Sequence, residues 1–264
     1  MSLVIAVSVP TGIVLSGDSR TTSIIPQQPS QPPALQETSV DGKESGKPSS
    51  AEAVTGEGIT ELPKAPQPNA IHIPIVLSDA TDKLFLLWDK YGVGVYGDAF
   101  VSNMPIAHTI QQFELANRKT RPASPQACAN ALLKYFQALN PLPIVGMMVI
   151  GYEKAEQWIL GVNVKEGTIT RNNAIPDTEL IVYTSVWGGD FLVVQRLLSD
   201  LQYQPPYSAM NVQDAVDLSR HLIRSTIDQL RFEPRFASVG GPIDTLVVTP
   251  AKAEFLIHKS LTYS

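Results

Sequence analysis

The 264-residue chain has little cysteine, little basic charge and no long apolar run, and each shortage excludes a class of protein. Its single cysteine, Cys128, cannot form an intrachain disulfide or a cysteine-rich zinc site. The net charge is −5 and no dense lysine or arginine run occurs, so we expect neither nucleic acid nor an anionic membrane as a partner. The longest apolar stretches, such as 144–150, fall far short of the roughly 20 residues that span a bilayer. Because no basic segment precedes the apolar start, as a secretory signal requires, we expect a soluble cytoplasmic protein.

The sequence also gives little support for a nucleotide-binding site, a metal site or the nucleophile elbow of serine hydrolases. Residues 92–97 match the Gly-x-Gly-x-x-Gly spacing of a dinucleotide-binding loop. A dinucleotide-binding unit needs a parallel strand with an acidic residue after the next helix, whereas a basic segment, 118–122, and a second predicted helix follow here. The four histidines have no metal-ligand spacing, and neither a Gly-x-Ser-x-Gly elbow nor a phosphate-binding lysine loop is present. No metal and no cofactor are therefore predicted.

The chain opens with two β-branched, apolar runs, 3–9 and 12–17, which flank Pro10-Thr11-Gly12 and predict a hairpin. Ser2 would lie at the tip of the first strand and, if Met1 is removed, as is usual when the next residue is small, would carry both a hydroxyl and the free α-amine. An α-amine titrates near about pH 8 and can accept the proton of the serine hydroxyl. Since an antiparallel register returns Asp18 towards Ser2, a carboxylate is expected beside this nucleophile.

The opening run and its close, Gly17-Asp18-Ser19-Arg20-Thr21-Thr22, resemble the proteasome β-subunits and the bacterial proteasome-like peptidases, which are N-terminal-nucleophile hydrolases. Residues 82–97 are similar to the family's catalytic-lysine strand and to the hairpin that ends in its oxyanion glycine. The resemblance implies four catalytic residues, with a serine in place of the usual threonine: Ser2, Asp18, Lys83 and Gly97. It also implies three substrate contacts: Thr22, Val95 and Ala99. The implied reaction is acyl transfer from a peptide or protein substrate to Ser2, followed by hydrolysis.

The residues around Lys83 agree with a buried role for that lysine. The strand after it, Leu84-Phe85-Leu86-Leu87, is wholly apolar, so the ammonium would enter a buried sheet and need a partner such as Asp18. An ammonium beside the serine hydroxyl would favour the alkoxide form.

The chain departs from the family where groups that support the nucleophile are expected. Gly188 takes the place of a serine in the family's Gly-Ser-Gly, and Phe236 and Val239 replace the aspartate and the serine of its Arg-Asp-x-x-Ser-Gly-Gly. Ser238 and Asp228 are the two nearby residues that would compensate. The alternative hypothesis is therefore a catalytically inactive assembly or binding subunit, and retention of Met1 would favour it.

The order of predicted elements is strands, two helices, strands, two helices, strands, which does not fit a parallel doubly wound sheet. An α+β fold with helix pairs covering two stacked antiparallel sheets fits better, and the resemblance implies the same four-layer αββα sandwich. Residues 23–69 contain no aromatic residue and eight of the 21 prolines, which predicts a disordered insertion within a single domain, 1–264. The resemblance further implies a homo-oligomeric ring and allows an unfoldase or regulator as a partner.

Overall fold

The computed structural model describes residues 2–27, 71–178, 180–200, 202 and 204–259. These residues form an α+β fold whose sheets are antiparallel, as predicted. The chain divides into two compact units, one comprising Met1–Ser23 and Pro74–Ser264 and the other Ile24–Ile73. All described helices belong to the first unit, and none of them is both long and apolar enough to span a lipid bilayer.

The described part of the chain contains fourteen strands and four α-helices. The first strands are β1 (Leu3–Val9), β2 (Gly12–Gly17), β3 (Thr21–Gln27), β4 (Ile71–Ser78), β5 (Leu84–Leu87), β6 (Tyr91–Gly97), β7 (Phe100–Val101) and β8 (Met104–Pro105). Helices α1 (Ile106–Ala116) and α2 (Pro125–Gln137) follow, and then β9 (Val145–Glu153), β10 (Glu156–Asn163), β11 (Thr168–Arg171) and β12 (Ser185–Gly189). The last elements are α3 (Leu192–Leu198), α4 (Val212–Leu230), β13 (Asp244–Val248) and β14 (Ala253–Ile257).

The first five-stranded sheet has the order β12-β1-β2-β13-β14, and every residue of β1 and β2 is buried. On one face of β1, Leu3 and Ile5 pack in a core with side chains of α3 and α4. On the other face, Val4 and Ala6 belong to a core that also contains side chains of the second sheet. Because both faces are covered, the strand is continuously apolar, although antiparallel strands more often alternate.

The second five-stranded sheet has the order β11-β10-β9-β6-β5. One face, including Val93 and Val95, packs against α1 and α2 through Phe113 and Phe136. The opposite face supplies Met148 and other side chains to the core that it shares with the first sheet. The two sheets are therefore joined by one common core, and each has a helix pair on its other side.

Two small two-stranded sheets, β3 with β4 and β7 with β8, complete the described strands. Residues 23–27 of the insertion predicted at 23–69 belong to β3, whose sequence, Thr-Thr-Ser-Ile-Ile-Pro-Gln, contains four β-branched residues that favour extended backbone. Residues 28–69 lie outside the described residues.

The helix starts follow the predicted capping signals. Ser124 Oγ accepts a hydrogen bond from Ala127 N at 3.1 Å, with Pro125 as the first helical residue of α2. At α4, Asn211 and Asp214 form a reciprocal capping box, with distances of 3.0 and 2.9 Å. The helix predicted at 190–201 is shorter, Leu192–Leu198. The strand predicted at 179–185 is instead found at Ser185–Gly189, where pairing with β1 stabilises a glycine-containing segment; Glu179 lies outside the described residues.

Candidate active site

The first hairpin brings Asp18 to the beginning of β1. Val4 pairs with Gly17, so the residue after Gly17 lies beside the start of the chain. Leu3 N donates to Asp18 Oδ1 at 2.9 Å, and Asp18 N donates to Leu3 O at 3.2 Å. The carboxylate is thereby fixed next to Ser2, as the hairpin register predicted.

Asp18 is a buried carboxylate with a full set of hydrogen-bond donors. It is 1% exposed. Its Oδ1 also accepts from Lys83 Nζ at 2.6 Å, and its Oδ2 accepts from the backbone nitrogens of Arg20 at 3.1 Å and Gly240 at 3.0 Å. Four donors, one of them charged, satisfy the ionised carboxylate and hold it in a single orientation.

Lys83 lies directly before β5 and is 4% exposed. Its carbonyl accepts a hydrogen bond from Val95 N at 2.9 Å, which places the lysine beside the last residues of β6. Burial lowers the pKa of the Lys83 ammonium from its ordinary value, although the adjacent Asp18 opposes this effect. The Lys83 ammonium therefore loses its proton more readily than that of a solvent-exposed lysine. The Asp18 carboxylate, which is itself fixed by its other hydrogen bonds, holds the ammonium in position.

A small pocket lies beside this ion pair. Ser2 lines it and is itself 7% exposed. The pocket wall includes six of the seven site residues predicted from the sequence, which are Ser2, Thr22, Lys83, Val95, Gly97 and Ala99. The seventh, Asp18, lies behind Lys83. The structure thus gathers around one pocket a hydroxyl, an ammonium, backbone groups and an apolar wall.

Gly97 ends β6 with a φ of +106°, a backbone conformation that disfavours other residues. A Cβ at this position would overlap Ile144 O and lie 3.2 Å from the Cα of Val145. The next residue, Asp98, is fixed by its own bonds to Ile144: Asp98 N donates to Ile144 O at 2.9 Å, and Asp98 Oδ2 accepts from Ile144 N at 2.7 Å. Gly97 consequently presents bare backbone at the pocket.

Arg20 contributes charge to the pocket wall but is already paired. Its Nε and Nη2 donate to the two carboxylate oxygens of Asp79 at 2.6 and 2.9 Å, a bidentate geometry. These bonds raise the pKa of Arg20 and lower the pKa of Asp79. The pair neutralises this side of the pocket mouth.

Two buried or half-buried charged groups near Ser2 were missed by the sequence analysis. Asp190 is 5% exposed and its backbone N donates to Ser2 O at 2.7 Å. Its Oδ2 accepts from Ser238 Oγ at 2.6 Å and from Arg235 Nη1 at 2.5 Å.

Ser238 was one of the two residues expected to compensate for the missing support groups of the nucleophile. The other, Asp228, is exposed on α4 and is not among the described residues that line the pocket. The only signal for Asp190 in the sequence was its position directly after the glycine pair 188–189.

Asp82, Asp244 and His258 form a separate cluster of residue types that can bind a metal ion. Their carboxylate oxygens and imidazole nitrogen lie within 4.8 Å of one another. The Lys259 ammonium already bridges it, at 2.8 Å from Asp82 and in contact with Asp244. A lysine thus supplies the positive charge, and the cluster is an ion-pair network that ties residue 259 to the segment just before Lys83.

No protein-family model and no curated protein sequence matches this chain. The functional interpretation therefore depends on the geometry and chemistry of the Ser2 pocket.

Proposed function

We propose that this chain is a proteasome-like N-terminal-nucleophile peptidase or amidase, with Ser2 as the nucleophile. One observation carries the proposal: Ser2 lines the same pocket as a buried lysine whose ammonium is bonded, at 2.6 Å, to a buried aspartate. Burying an ion pair costs desolvation free energy, and buried titratable groups with a charge partner beside a pocket are typical of catalytic sites.

The arrangement of helices and sheets supports the same class. Each sheet packs one face on a helix pair and shares its other face with the opposite sheet. On this basis we propose a four-layer αββα sandwich of the N-terminal-nucleophile type, with the pocket at the end where β1 begins and β6 finishes.

In the proposed reaction, removal of Met1 leaves Ser2 with a free α-amine, which takes the proton from Ser2 Oγ as this oxygen attacks the substrate carbonyl carbon. The Lys83 ammonium, oriented by Asp18, stabilises negative charge on Oγ, and the Gly97 backbone N–H donates to the oxyanion of the tetrahedral intermediate. The protonated α-amine then protonates the leaving amine as the C–N bond breaks. Water, deprotonated by the same α-amine, hydrolyses the acyl-serine ester and restores Ser2.

The proposed substrate is a peptide or protein. Thr22 would hydrogen-bond the substrate backbone through its main chain, and Val95 and Ala99 would contact an apolar substrate side chain. Assembly into a homo-oligomeric ring in the cytoplasm, with an unfoldase or regulator as an additional partner, is part of the same proposal and rests on the family resemblance alone.

A catalytically inactive assembly or binding subunit is the second candidate. It is favoured by the replacement of three expected support groups by Gly188, Phe236 and Val239. Against it stands the Asp190–Ser238–Arg235 network: the backbone N of Asp190 donates to Ser2 O, while its carboxylate is bonded to Ser238 and Arg235.

Covalent labelling by an electrophile directed at serine and threonine distinguishes the two candidates. We expect one label per wild-type chain, at Ser2 of a protein whose intact mass lacks Met1, and no label in Ser2→Ala. Alanine is as small as serine, so removal of Met1 is expected in both proteins. Lys83→Ala should label at least about tenfold more slowly, whereas Lys90→Ala, which alters an exposed lysine at the other end of β6, should match the wild type. Equal labelling of wild type, Ser2→Ala and Lys83→Ala would refute the proposal that the chain is an enzyme. A retained Met1 would refute it as well.

A further inference from the structure

Lys83 ends a segment without regular secondary structure, 80–83, that leads into β5. Backbone hydrogen bonds hold this segment at two points. Thr81 N donates to Ser19 O at 3.0 Å, and Lys83 O accepts from Val95 N at 2.9 Å. No continuous ladder of strand pairing fixes the residues between these points, so the position of the lysine also depends on what binds their side chains.

The Asp82 side chain, between these two points, is bonded to a residue that follows β14. Asp82 Oδ1 lies 2.8 Å from Lys259 Nζ, and His258 Nε2 lies 3.9 Å from the same oxygen. Within the described residues, no other side chain forms an ion pair with this carboxylate. The segment that carries Lys83 is therefore tied, through Asp82, to Lys259.

Lys259 is itself fixed by Asp244, which it binds at two points. The backbone N of Lys259 donates to Asp244 Oδ1 at 2.7 Å, and its ammonium contacts Asp244 Oδ2. The side chain of Lys259 is 11% exposed and that of Asp244 is 3% exposed. Two charges that are this poorly hydrated need each other, and no other described cation is paired with Asp244. Lys259 is thus a rigid anchor for Asp82.

Asp244 and Asp82 each adjoin one member of the Asp18–Lys83 ion pair. Asp244 on β13 pairs with Gly17 on β2, the residue before Asp18, and Asp82 directly precedes Lys83. The Lys259 ammonium therefore joins the two sequence segments that carry the proposed catalytic carboxylate and ammonium. None of the three bridging residues is among the described residues that line the Ser2 pocket, so an effect of this bridge on Ser2 is indirect.

We infer that Lys259 is a positioning residue of the proposed active site, which holds Asp82 and thereby sets where the Lys83 ammonium lies. This inference rests on the proposed function. Because Lys259 is anchored on Asp244 of the first sheet, its bond to Asp82 restrains the backbone next to Lys83. The ammonium that stabilises negative charge on the nucleophile is then held in a single place before substrate binds.

Asp82→Ala tests the inference, because it cuts the link to Lys83 and leaves Lys259 paired with the buried Asp244. The Asp82 side chain is half-exposed, so the urea midpoint of unfolding should change little. We expect the labelling rate of Ser2 at saturating electrophile to fall about fivefold, since a displaced catalytic group loses much of its effect. The electrophile concentration that gives half this rate should be unchanged, because Asp82 does not line the pocket. A general loosening of the fold would change both quantities.

Lys259→Met removes the anchor itself, and Lys252→Met is its matched control. Lys252 lies at the other end of β14, where its exposed side chain pairs with Glu254 at 2.6 Å. Lys252→Met should label like the wild type, whereas Lys259→Met should lose at least as much rate as Asp82→Ala. The double variant Asp82→Ala/Lys259→Met should be no slower than Lys259→Met alone, because both changes break one bridge. Losses that multiply in the double variant would overturn the inference.

The pH profile separates an effect on Lys83 from a loss of stability. Burial is the main cause of the lowered pKa of Lys83; Asp18 opposes it, and the positive charges of Lys259 and Arg20 lower the pKa further. The labelling rate should decline at alkaline pH as Lys83 loses its proton. Lys259→Met removes a charge that lowers this pKa, so the alkaline limb should move to higher pH. Instability alone would leave the limb in place, and an unmoved limb would contradict the inference.

The proposed function and this inference fail in different ways. A wild type that labels at Ser2, together with Asp82→Ala and Lys259→Met variants of the same saturating rate, would overturn the role of Lys259 and leave the proposed function intact. If the wild type does not label, the proposed function is wrong, and the role of Lys259 is lost with it.

Discussion

Lys83 and Asp18 show how a single buried ion pair stabilises both the hairpin and the proposed site. Asp18 joins Leu3, Arg20 and Gly240 through backbone donors, and Lys83 adds the only side-chain cation bonded to it in the described structure. Its three backbone bonds keep the carboxylate in place, but they cannot neutralise its charge.

Replacement of Lys83 by methionine, which has a similar length, should therefore be strongly destabilising. It leaves the Asp18 carboxylate buried without a counter-ion, and breaking such a pair typically costs about 3–5 kcal/mol. Urea denaturation followed by circular dichroism measures the change. The control Lys90→Met alters an exposed lysine that donates to Ala123 O at 2.9 Å, and it should change the free energy of unfolding by less than about 1 kcal/mol. Similar losses for both variants would mean that the buried pair is not formed in solution.

At the scale of elements, α4 supplies the longest helical surface to the core behind β1. It is anchored at its start by Asn211, whose side chain accepts from Asp214 N while Asp214 accepts from Asn211 N. Asn211→Ala should lower the free energy of unfolding by about 1 kcal/mol, since two helix-end donors lose a partner or its orientation. Asn211→Ser retains a capping oxygen and should lose less than half as much. Equal losses in the two variants would contradict the assigned role of the side-chain oxygen.

Local signals were sufficient to predict most of these elements. The hairpin of β1 and β2 and the full length of α4 match the predicted bounds, because turn residues, caps and apolar periodicity lie within each segment. Strand β3 and the pairing of Ser185–Gly189 were not predicted, since they depend on partners elsewhere in the chain. The candidate site was likewise predicted only in part. Its predicted residues lie on short recognisable segments, whereas the contacts of Asp190 with Arg235 and Ser238 join residues 45 and 48 positions apart.

At the scale of the whole first unit, the shared core is closed at one end and carries the pocket at the other. At the closed end, Gln157 Nε2 of the second sheet donates to Val9 O of the first at 2.6 Å. At the other end, beside the pocket, Lys83 just before β5 donates to Asp18 just after β2, also at 2.6 Å. The spacing of the two sheets is therefore fixed at both ends of the shared core, and at the pocket end the ion pair that fixes it belongs to the proposed site.

The buried titratable groups predict loss of stability of the whole fold at alkaline pH. Burial raises the pKa values of Tyr91, Tyr96, Tyr152 and Tyr207 above 10.0, and that of Cys128 from 9.0 to about 12. The unfolded chain releases these protons first. Their contribution to stability is therefore complete below about pH 9 for the thiol and pH 10 for the phenols, and it falls as the pH rises through the folded-state values. Lys83 acts in the opposite direction, since its pKa is lowered and the unfolded chain binds the extra proton, but this gain ends near pH 10.5.

The urea midpoint should consequently change little between pH 8 and 9.5 and fall steeply above about pH 10.5, in step with the phenolate absorbance at 295 nm. Cys128→Ala removes the thiol and should make the decline shallower between pH 9 and 12, after correction for its lower stability at pH 7. Lys83→Met should show an earlier decline relative to its own midpoint at pH 8, because it lacks the opposing contribution. A midpoint that stays level up to pH 12 would mean that these side chains are exposed to solvent in the folded protein, contrary to the shared core on which the pocket is built.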